Sequence, residues 1–157
     1  MRAALSWVAV LVLAGCAGGG GGSPGAPAAY DPERVAFDPE LGVDLTTMQR
    51  TSTGLYVQDL REGDGLAAQR TSLVTLHYVG YLADGTIFDT SSGGEPFQFR
   101  LGGNEVIRGW NQGIPGMKRG GIRRIVVRPS LGYRSQGRGR IPPNSTLVFD
   151  VQLLDVR

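Results

Sequence analysis

The chain is poor in the two side chains that most often carry metal and acid–base chemistry. Among its 157 residues there is one cysteine, Cys16, and one histidine, His77. A lone cysteine excludes an intrachain disulfide, a cysteine-rich zinc site and a Cys-X-X-Cys redox pair. A lone histidine argues against a Ser-His-Asp triad and a polyhistidine metal site. We therefore expect neither a metal site nor a cofactor, and we interpret His77 as a residue packed or hydrogen-bonded within a strand.

The chain also lacks a large excess of either charge. It has 16 basic and 14 acidic side chains, and of these only Arg2 precedes Cys16. A near-neutral chain has no general attraction for nucleic acid, so we predict no nucleic-acid partner. Basic residues do cluster at Lys118 to Arg124 and at Arg134, Arg138 and Arg140. Because no aromatic side chain interrupts the first cluster, solvated strand ends and a loop are favoured over a single-strand-binding surface.

The apolar run near the start of the chain is too short to cross a membrane. Ala3 to Leu13 is about 11 residues long, whereas a spanning helix needs about 20. The run ends in Leu13-Ala14-Gly15-Cys16, which resembles the bacterial lipobox. That motif implies a signal peptide over residues 1–15 and a diacylglycerol-modified thiol at Cys16. A plain secretory peptide, or a buried helix whose cysteine has no role, is the alternative, but the only cysteine lies where the lipobox requires it.

The composition after Cys16 predicts how the folded part is attached. Residues 16–29 contain five consecutive glycines and then Ser23-Pro24-Gly25-Ala26-Pro27, which is typical of a flexible tether. Acylation would anchor the chain rather than make it span the membrane, so we expect an extracytoplasmic, lipid-anchored protein. Ala17 is not the aspartate associated with inner-membrane retention. This favours the periplasmic face of the outer membrane in a host with two membranes, and the outer face of the cell membrane otherwise.

Residues 30–49 form a separate segment between the tether and the first predicted strand. Their apolar side chains are irregularly spaced, and Pro32 and Pro39 interrupt the segment. We interpret it as an extended or partly helical arm. The six apolar side chains are more than a solvated linker usually carries, and the sequence leaves open whether the arm packs on the domain.

From residue 50 onward the pattern is that of an antiparallel sheet. A hairpin turn is predicted at Ala83-Asp84-Gly85-Thr86, and one helix over Glu105 to Gln112, with Asn104 as its cap and Gly113 at its end. Strands are predicted over residues 54–60, 71–82, 97–101, 122–128 and 147–154. We therefore predict an α+β domain over residues 50–157, in which a twisted antiparallel sheet of about five strands wraps around one short α-helix.

Five segments carry a resemblance to a known family. They are His77-Tyr78-Val79-Gly80, Asp84-Gly85-Thr86-Ile87-Phe88-Asp89, Pro96-Phe97-Gln98-Phe99, Asn104-Glu105-Val106-Ile107-Arg108-Gly109-Trp110, and Ile141-Pro142-Pro143-Asn144-Ser145-Thr146-Leu147-Val148-Phe149-Asp150. In order and spacing they closely resemble the FKBP family of peptidyl-prolyl cis/trans isomerases, over roughly residues 52 to 157. The resemblance implies the FKBP fold and isomerisation of X-Pro bonds, here during the folding of exported proteins.

The resemblance also implies roles for individual side chains. The implied catalytic residues are Tyr78, Phe88, Asp89, Trp110 and Tyr133. The implied substrate-binding residues are Phe97, Phe99, Glu105, Val106, Ile107, Ile141 and Phe149. Trp110 is implied as the floor of a proline pocket, and the Tyr133 hydroxyl and the Ile107 N–H as donors to substrate carbonyls. For Phe99 and Phe149, ordinary core packing accounts for the residue type equally well.

The chain departs from the family pattern around the implied pocket. Arg134 follows Tyr133 where a glycine is common, the loop 134–140 is one residue shorter than in the best-known members, and Arg138 stands where those members have a histidine. The segment 90–95 lacks a basic residue that could pair with Asp89. These departures bear on substrate preference and inhibitor affinity more than on the activity.

The implied partners are proline-containing polypeptides, macrolide inhibitors such as rapamycin, and a membrane contacted through the N-terminal lipid, with a monomer as the default state. An alternative function is a binding module or chaperone that holds proline-containing segments with little turnover. A structural envelope lipoprotein with a degenerate pocket is disfavoured because Asp89, Trp110 and Tyr133 are all present.

Overall fold

A computed structural model describes residues 31–157, so the predicted signal peptide, the predicted tether and Cys16 lie outside the described residues. In this part of the chain, seven strands and one α-helix follow one another in sequence. They are β1 (Gln49–Arg50), β2 (Tyr56–Arg61), β3 (Leu73–Leu82), β4 (Ile87–Thr90), β5 (Phe97–Arg100), α1 (Arg108–Gly113), β6 (Ile122–Val127) and β7 (Leu147–Val156).

The strands form one antiparallel sheet in the order β1-β2-β6-β7-β3-β4, with β5 pairing with β3 beside β4. The central pair is β3 and β7, which run together from Val74 opposite Val156 to Leu82 opposite Leu147. The hairpin turn predicted through Asp84-Gly85 joins β3 to β4, and the Leu82 N–H donates to the Thr86 carbonyl at 2.9 Å. The α+β prediction is confirmed. The sheet has two strands more than the five expected, because the short β1 and β4 were not predicted as strands.

Period-two alternation gives the sheet two different apolar faces. Along β7, Leu147, Phe149 and Val151 belong to the main core, in which α1 also packs, whereas Val148 belongs to a second cluster on the opposite face. In β6, Val126 joins that second cluster. The helix and the candidate site therefore lie on one face of the sheet, and the other face needs a separate cover.

The arm supplies that cover. Leu41 and Met48 are each 8% exposed and pack against Tyr56, Val126 and Val148 on the second face. Two short 3-10 turns, Pro32–Arg34 and Pro39–Leu41, shape the arm, and its path is fixed by polar contacts as well. The Asp38 N–H donates to the Ala83 carbonyl at 2.7 Å, and an Arg124 guanidinium N–H donates to the Leu41 carbonyl. The question that the sequence left open is settled in favour of packing.

The helix begins three residues later than predicted. It starts at Arg108, with Ile107 at the capping position in an extended conformation, and no side-chain oxygen caps its N-terminus. The predicted start at Glu105 and the predicted cap at Asn104 are therefore wrong, and the helix ends at Gly113, one residue after the predicted last residue Gln112. The side chain of Asn111 accounts for the difference. Its Oδ1 accepts from the Gly102 N–H at 2.9 Å and its Nδ2 donates to the Gly103 carbonyl at 2.8 Å, which holds the preceding segment as a loop.

Two arginines of β6, Arg123 and Arg124, form salt bridges with residues of neighbouring strands. The prediction that the basic residues here are solvated strand ends is therefore wrong for these two. Arg123, whose side chain is 12% exposed, binds Asp59 through Nε and Nη2 at 2.7 and 2.9 Å. Its Nη1 donates to the Gly113 carbonyl at 2.9 Å, at the end of α1. On the other face Arg124 makes two 2.7 Å bonds to Asp150, and these hydrogen bonds raise the pKa of Arg124. Bidentate pairs of this kind fix orientation as well as contributing energy.

His77 lies in β3 and its side chain is hydrogen-bonded, as predicted. Its Nδ1 lies 3.1 Å from the Ser91 hydroxyl, which also accepts from the Tyr78 N–H at 3.0 Å. This contact fastens the end of β4 to β3 directly beside the candidate site.

Over residues 31–157 we find no helix long and apolar enough to cross a membrane.

Candidate active site

A cavity of about 560 Å³ opens on the helix-bearing face of the sheet. Its volume is within the range of pockets that take small ligands or a few residues of a peptide. The side chains around it come from β3, β4, β5, α1, β7 and the loops before α1 and before β7. The lining residues are Tyr78, Phe88, Asp89, Phe97, Asn104, Glu105, Val106, Ile107, Trp110, Tyr133, Arg138, Gly139, Arg140, Ile141 and Phe149.

Trp110 forms the floor of this cavity. It is 4% exposed, and its ring packs edge-on against Tyr78 at a centroid distance of 4.9 Å and against Phe149 at 5.3 Å. Phe97 and Phe99 contact it from β5, at 6.1 and 5.6 Å. Pairs of aromatic rings at such distances contribute about 0.5–1.5 kcal/mol beyond the area they bury. The floor is therefore an aromatic surface supported by neighbouring rings.

A second aromatic pair forms one wall. Phe88 of β4 meets Phe149 of β7 edge-to-face at 5.6 Å, across the position of Gly80 in β3. A Cβ at Gly80 would lie 2.6 Å from Phe88 Cζ and 3.0 Å from Phe149 Cε1. Only glycine lets the two rings meet over the middle of β3, which explains locally why an otherwise β-branched and aromatic strand contains this residue.

Two polar groups of the cavity are hydrogen-bonded to each other. The Tyr78 hydroxyl donates to Asp89 Oδ2 at 2.7 Å. Burial raises the pKa of Tyr78, and the hydrogen bond to Asp89 and the charge on that carboxylate raise it further. The hydroxyl therefore remains a protonated donor throughout the physiological pH range. This pair leaves Asp89 oriented by Tyr78 rather than by a cationic partner.

The loop 134–141, here called the flap, forms the opposite rim with Tyr133 at its base. Arg138 and Ile141 close it as a tight turn, in which each N–H donates to the other's carbonyl at 3.0 and 2.9 Å. At Gly137 the φ angle is +62°, and a Cβ there would lie 2.4 Å from the Ile141 carbonyl oxygen. The Arg138 guanidinium lies over the Tyr133 ring, with Cζ 5.7 Å from the centroid. The flap therefore has a defined shape, and it brings Ile141 to the cavity.

The structure brings together all but one of the residues that the family resemblance implied for the pocket, whereas Cys16 lies outside the described residues. Phe99 is the exception, because it is 1% exposed and packs behind Phe97 and Trp110 instead of lining the cavity. Of its two interpretations, core packing is the one that the structure supports. Asn104, Arg138, Gly139 and Arg140 line the cavity without having been predicted to do so. Arg138 and Arg140 had a signal in the sequence, because both are basic residues of the loop 134–140, which departs from the family pattern.

The site contains no evident place for an inorganic centre. Among residues 31–157, no group of three or more His, Cys, Asp or Glu side chains is close enough together to hold a metal ion. The two carboxylates of the cavity, Asp89 and Glu105, come from different elements. What the arrangement offers is an apolar floor and walls with hydrogen-bond donors at the rim. Such a site can enclose a small apolar group whose flanking amides are bound outside.

Comparisons with known proteins agree with this geometry. Residues 65–154 match the family model described as FKBP-type peptidyl-prolyl cis-trans isomerase. The Escherichia coli (strain K12) protein "FKBP-type peptidyl-prolyl cis-trans isomerase FkpA" is 46% identical over 125 residues, which cover 79% of this chain and 44% of that protein. "FK506-binding protein 4" of Neurospora crassa is 42% identical over 112 residues, covering 71% of this chain and 24% of that protein.

Solved structures give the same result. The crystal structure of FkpA from Escherichia coli matches with a TM-score of 0.67 at 44% identity, over 75% of this chain and 55% of that chain. The crystal structure of AtFKBP13 matches with a TM-score of 0.66 at 37% identity, over 70% of this chain and 98% of that chain. The chain spans about a quarter of the length of the Neurospora relative. The family model alone matches more than half of the chain, and this chain therefore belongs to the family of FKBP-type peptidyl-prolyl cis-trans isomerases.

Proposed function

We propose that this protein is a peptidyl-prolyl cis/trans isomerase that accelerates the turning of X-Pro bonds in exported proteins. The observation that carries the proposal is the cavity itself, in which an aromatic floor and walls are combined with hydrogen-bond donors at the rim. Its residues also match those implied by the family resemblance, with Phe99 as the exception. Export is supported by the lipobox-like segment that ends at Cys16.

The chemistry of the proposed reaction explains why such a site needs no base or nucleophile. Rotation about an X-Pro bond is slow because amide resonance gives the bond partial double-bond character, with a barrier of about 18–20 kcal/mol. The planar amide is the more polar state, with negative charge on its oxygen. Twisting removes the conjugation and with it the charge separation. An apolar enclosure therefore disfavours the planar state more than the twisted one.

The enclosure accelerates rotation only if the substrate is held on either side of the turning bond. The proline ring would lie on Trp110, between the Phe88–Phe149 pair and the flap. Tyr133 lines the cavity at the base of the flap, and in the described part of the chain no acceptor is bonded to the Ile107 N–H. We assign these two donors to substrate carbonyls. Every interaction that holds the substrate is then outside the amide whose conjugation must be lost.

The role of Asp89 follows from its bond to Tyr78. We propose that the carboxylate orients the Tyr78 ring against Trp110 and contributes to the wall without moving a proton. Replacement of Asp89 by Asn should therefore retain turnover, because an amide oxygen can still accept from the Tyr78 hydroxyl. Exchanging a charged acceptor for a neutral one weakens a hydrogen bond by about 1 kcal/mol, so we expect kcat/KM to fall by about fivefold.

The same variant and the unmodified protein should both show flat kcat/KM between about pH 6 and 8. This expectation follows from the direction in which the pKa of Tyr78 is shifted. Its folded-state pKa is raised above its ordinary value of about 10, so the neutral hydroxyl is retained below that value and would be lost only at more alkaline pH. Protease-free exchange measurements on a proline peptide across this range would check it. Complete loss of turnover in a folded Asp89→Asn protein would contradict the proposal that Asp89 orients Tyr78 without moving a proton.

The experiment that tests the proposed function measures cis/trans exchange of an X-Pro peptide by NMR with the purified full chain. We expect exchange faster than the uncatalysed rate, and inhibition by rapamycin that is weaker than in family members without the altered flap. A folded protein that binds the peptide but leaves the exchange rate unchanged would instead support the alternative, a proline-segment binding module or chaperone. Neither binding nor turnover in a protein with native circular dichroism would overturn both.

We further propose an extracytoplasmic location with a lipid anchor at Cys16 and a monomer as the working state. In a host with two membranes, Ala17 supports sorting to the periplasmic face of the outer membrane. The arm supports the anchoring proposal from the folded side, because it packs on the sheet face opposite the cavity. A chain attached through this arm leaves the mouth of the cavity open to polypeptides.

A further inference from the structure

The flap places two arginines at the cavity that the proposed reaction does not use. Arg138 and Arg140 both line the cavity and are both exposed. The position of Arg138 is constrained at its backbone by the paired bonds to Ile141, and at its side chain by the Tyr133 ring. A guanidinium stacked on a ring keeps its N–H groups free at its edge, where a planar anion can bind through two of them.

Neither arginine has an anionic partner in residues 31–157. No carboxylate of this part of the chain lies within 4.0 Å of the charged nitrogens of Arg138 or Arg140, whereas Arg123 and Arg124 are both paired. The two carboxylates at the cavity belong to other elements. Asp89 in β4 accepts from Tyr78, and Glu105 lies in the loop before α1. The flap side of the cavity mouth therefore carries unpaired positive charge.

We propose that Arg138 and Arg140 make the flap a carboxylate-binding rim, which selects proline-containing segments with an acidic residue next to the proline. The proposal rests on the proposed function of the cavity and specifies its substrate class. Tyr133 lies beneath the Arg138 guanidinium and is the assigned donor to a substrate carbonyl. The side chain of the substrate residue next to that carbonyl is then within reach of the flap. A glutamate or aspartate at this substrate position gains a charge-assisted hydrogen bond to a flap guanidinium.

The expected effect is modest because both arginines are exposed. Ion pairs at exposed sites contribute about 0.2–1 kcal/mol, so a glutamate neighbour should raise kcat/KM up to about fivefold over glutamine. A lysine at the same position should lower it. The preference should shrink in 0.5 M salt, where screening acts within about 4 Å, but the rate on a neutral peptide should change little.

The test compares three peptides that differ only in Glu, Gln or Lys beside the proline, placed before it in one series and after it in another. We expect the full chain to prefer Glu in at least one series, and Arg138→Gln and Arg140→Gln each to reduce the Glu-to-Gln ratio of kcat/KM toward one. Arg34→Gln is the matched control, because Arg34 is an exposed arginine on the arm, which covers the other face. It should keep the ratio.

Equal kcat/KM for the Glu, Gln and Lys peptides would overturn the proposal, as would a ratio that both flap variants leave unchanged. Failure of the proposed enzyme function gives a different result, namely no turnover of any peptide, including the neutral one. In that case binding titrations of the same peptides test whether the two arginines bind the acidic side chain. Tighter binding of the Glu peptide that is lost in both variants would support the rim, and equal affinities would refute it.

Discussion

Replacing Trp110 by alanine should remove most of the catalytic activity and also destabilise the fold. The indole is 4% exposed and contacts Tyr78, Phe97, Phe99 and Phe149. Truncating a buried aromatic side chain typically costs about 3–5 kcal/mol of stability. If about 3 kcal/mol of transition-state stabilisation is lost with the floor, kcat/KM falls on the order of a hundredfold. The measurements are exchange kinetics on a proline peptide and urea denaturation of the same preparation.

A matched variant separates the loss of the floor from the loss of stability. Tyr56 is also a buried aromatic residue, 3% exposed, but it lies in the cluster under the arm. Tyr56→Ala should lose comparable stability while each folded molecule keeps its activity. Trp110→Leu keeps an apolar floor and should fall between the unmodified protein and Trp110→Ala. If Tyr56→Ala and Trp110→Ala impair turnover equally in folded protein, the floor has no special role and our account of the cavity is wrong.

Much of the fold could be predicted because it depends on local patterns. In β7 every second residue faces the main core, and the alternation is visible in the sequence from Leu147 to Leu153. The turn between β3 and β4 follows from the local chemistry of Asp84-Gly85. The aromatic site could be recognised because its residues lie within short family-like segments. Each of these signals is carried by residues close together in the chain.

The features that were missed depend on contacts that hydrophobic periodicity and turn motifs do not record. The start of α1 is set by Asn111, whose side-chain amide bonds to the loop in preference to a helical turn from Glu105. The arm is placed by Arg124 and by the second apolar face, neither of which can be inferred from its own irregular sequence. Strands as short as β1 are too short to show an alternation of apolar and polar residues. A tertiary hydrogen bond or a face made by other strands leaves no local signal.

The two faces of the sheet are covered differently, with α1 and the cavity on one face and the arm on the other. Residues of β6 and β7 alternate between the core beneath the cavity and the cluster beneath the arm, so one pair of strands supports both. The arm, which would connect the domain to the proposed tether and lipid, packs on the face opposite the cavity. This separation predicts that removing the anchor changes the location of the protein without changing its chemistry.

Replacement of Cys16 by serine should abolish lipidation and release the protein from membranes. The thiol is the proposed acylation site, and a serine hydroxyl is not a substrate for that modification. Stable anchoring takes two acyl chains or more, which the diacylglycerol would supply. The apolar run before Cys16 is about 11 residues long, too short to replace them by spanning the bilayer. The measurements are incorporation of a labelled fatty acid and fractionation after a high-salt wash.

The matched control is Ser23→Ala, which changes a serine of the tether and keeps the cysteine. It should remain labelled and stay in the membrane fraction, whereas Cys16→Ser should be unlabelled and soluble. Purified Cys16→Ser should retain the circular dichroism and the peptide exchange rate of the unmodified protein, because the arm and the cavity are distant from the substitution in the chain. A Cys16→Ser protein that still carries the label, or that still sediments with membranes after the wash, would show that the lipobox interpretation is wrong.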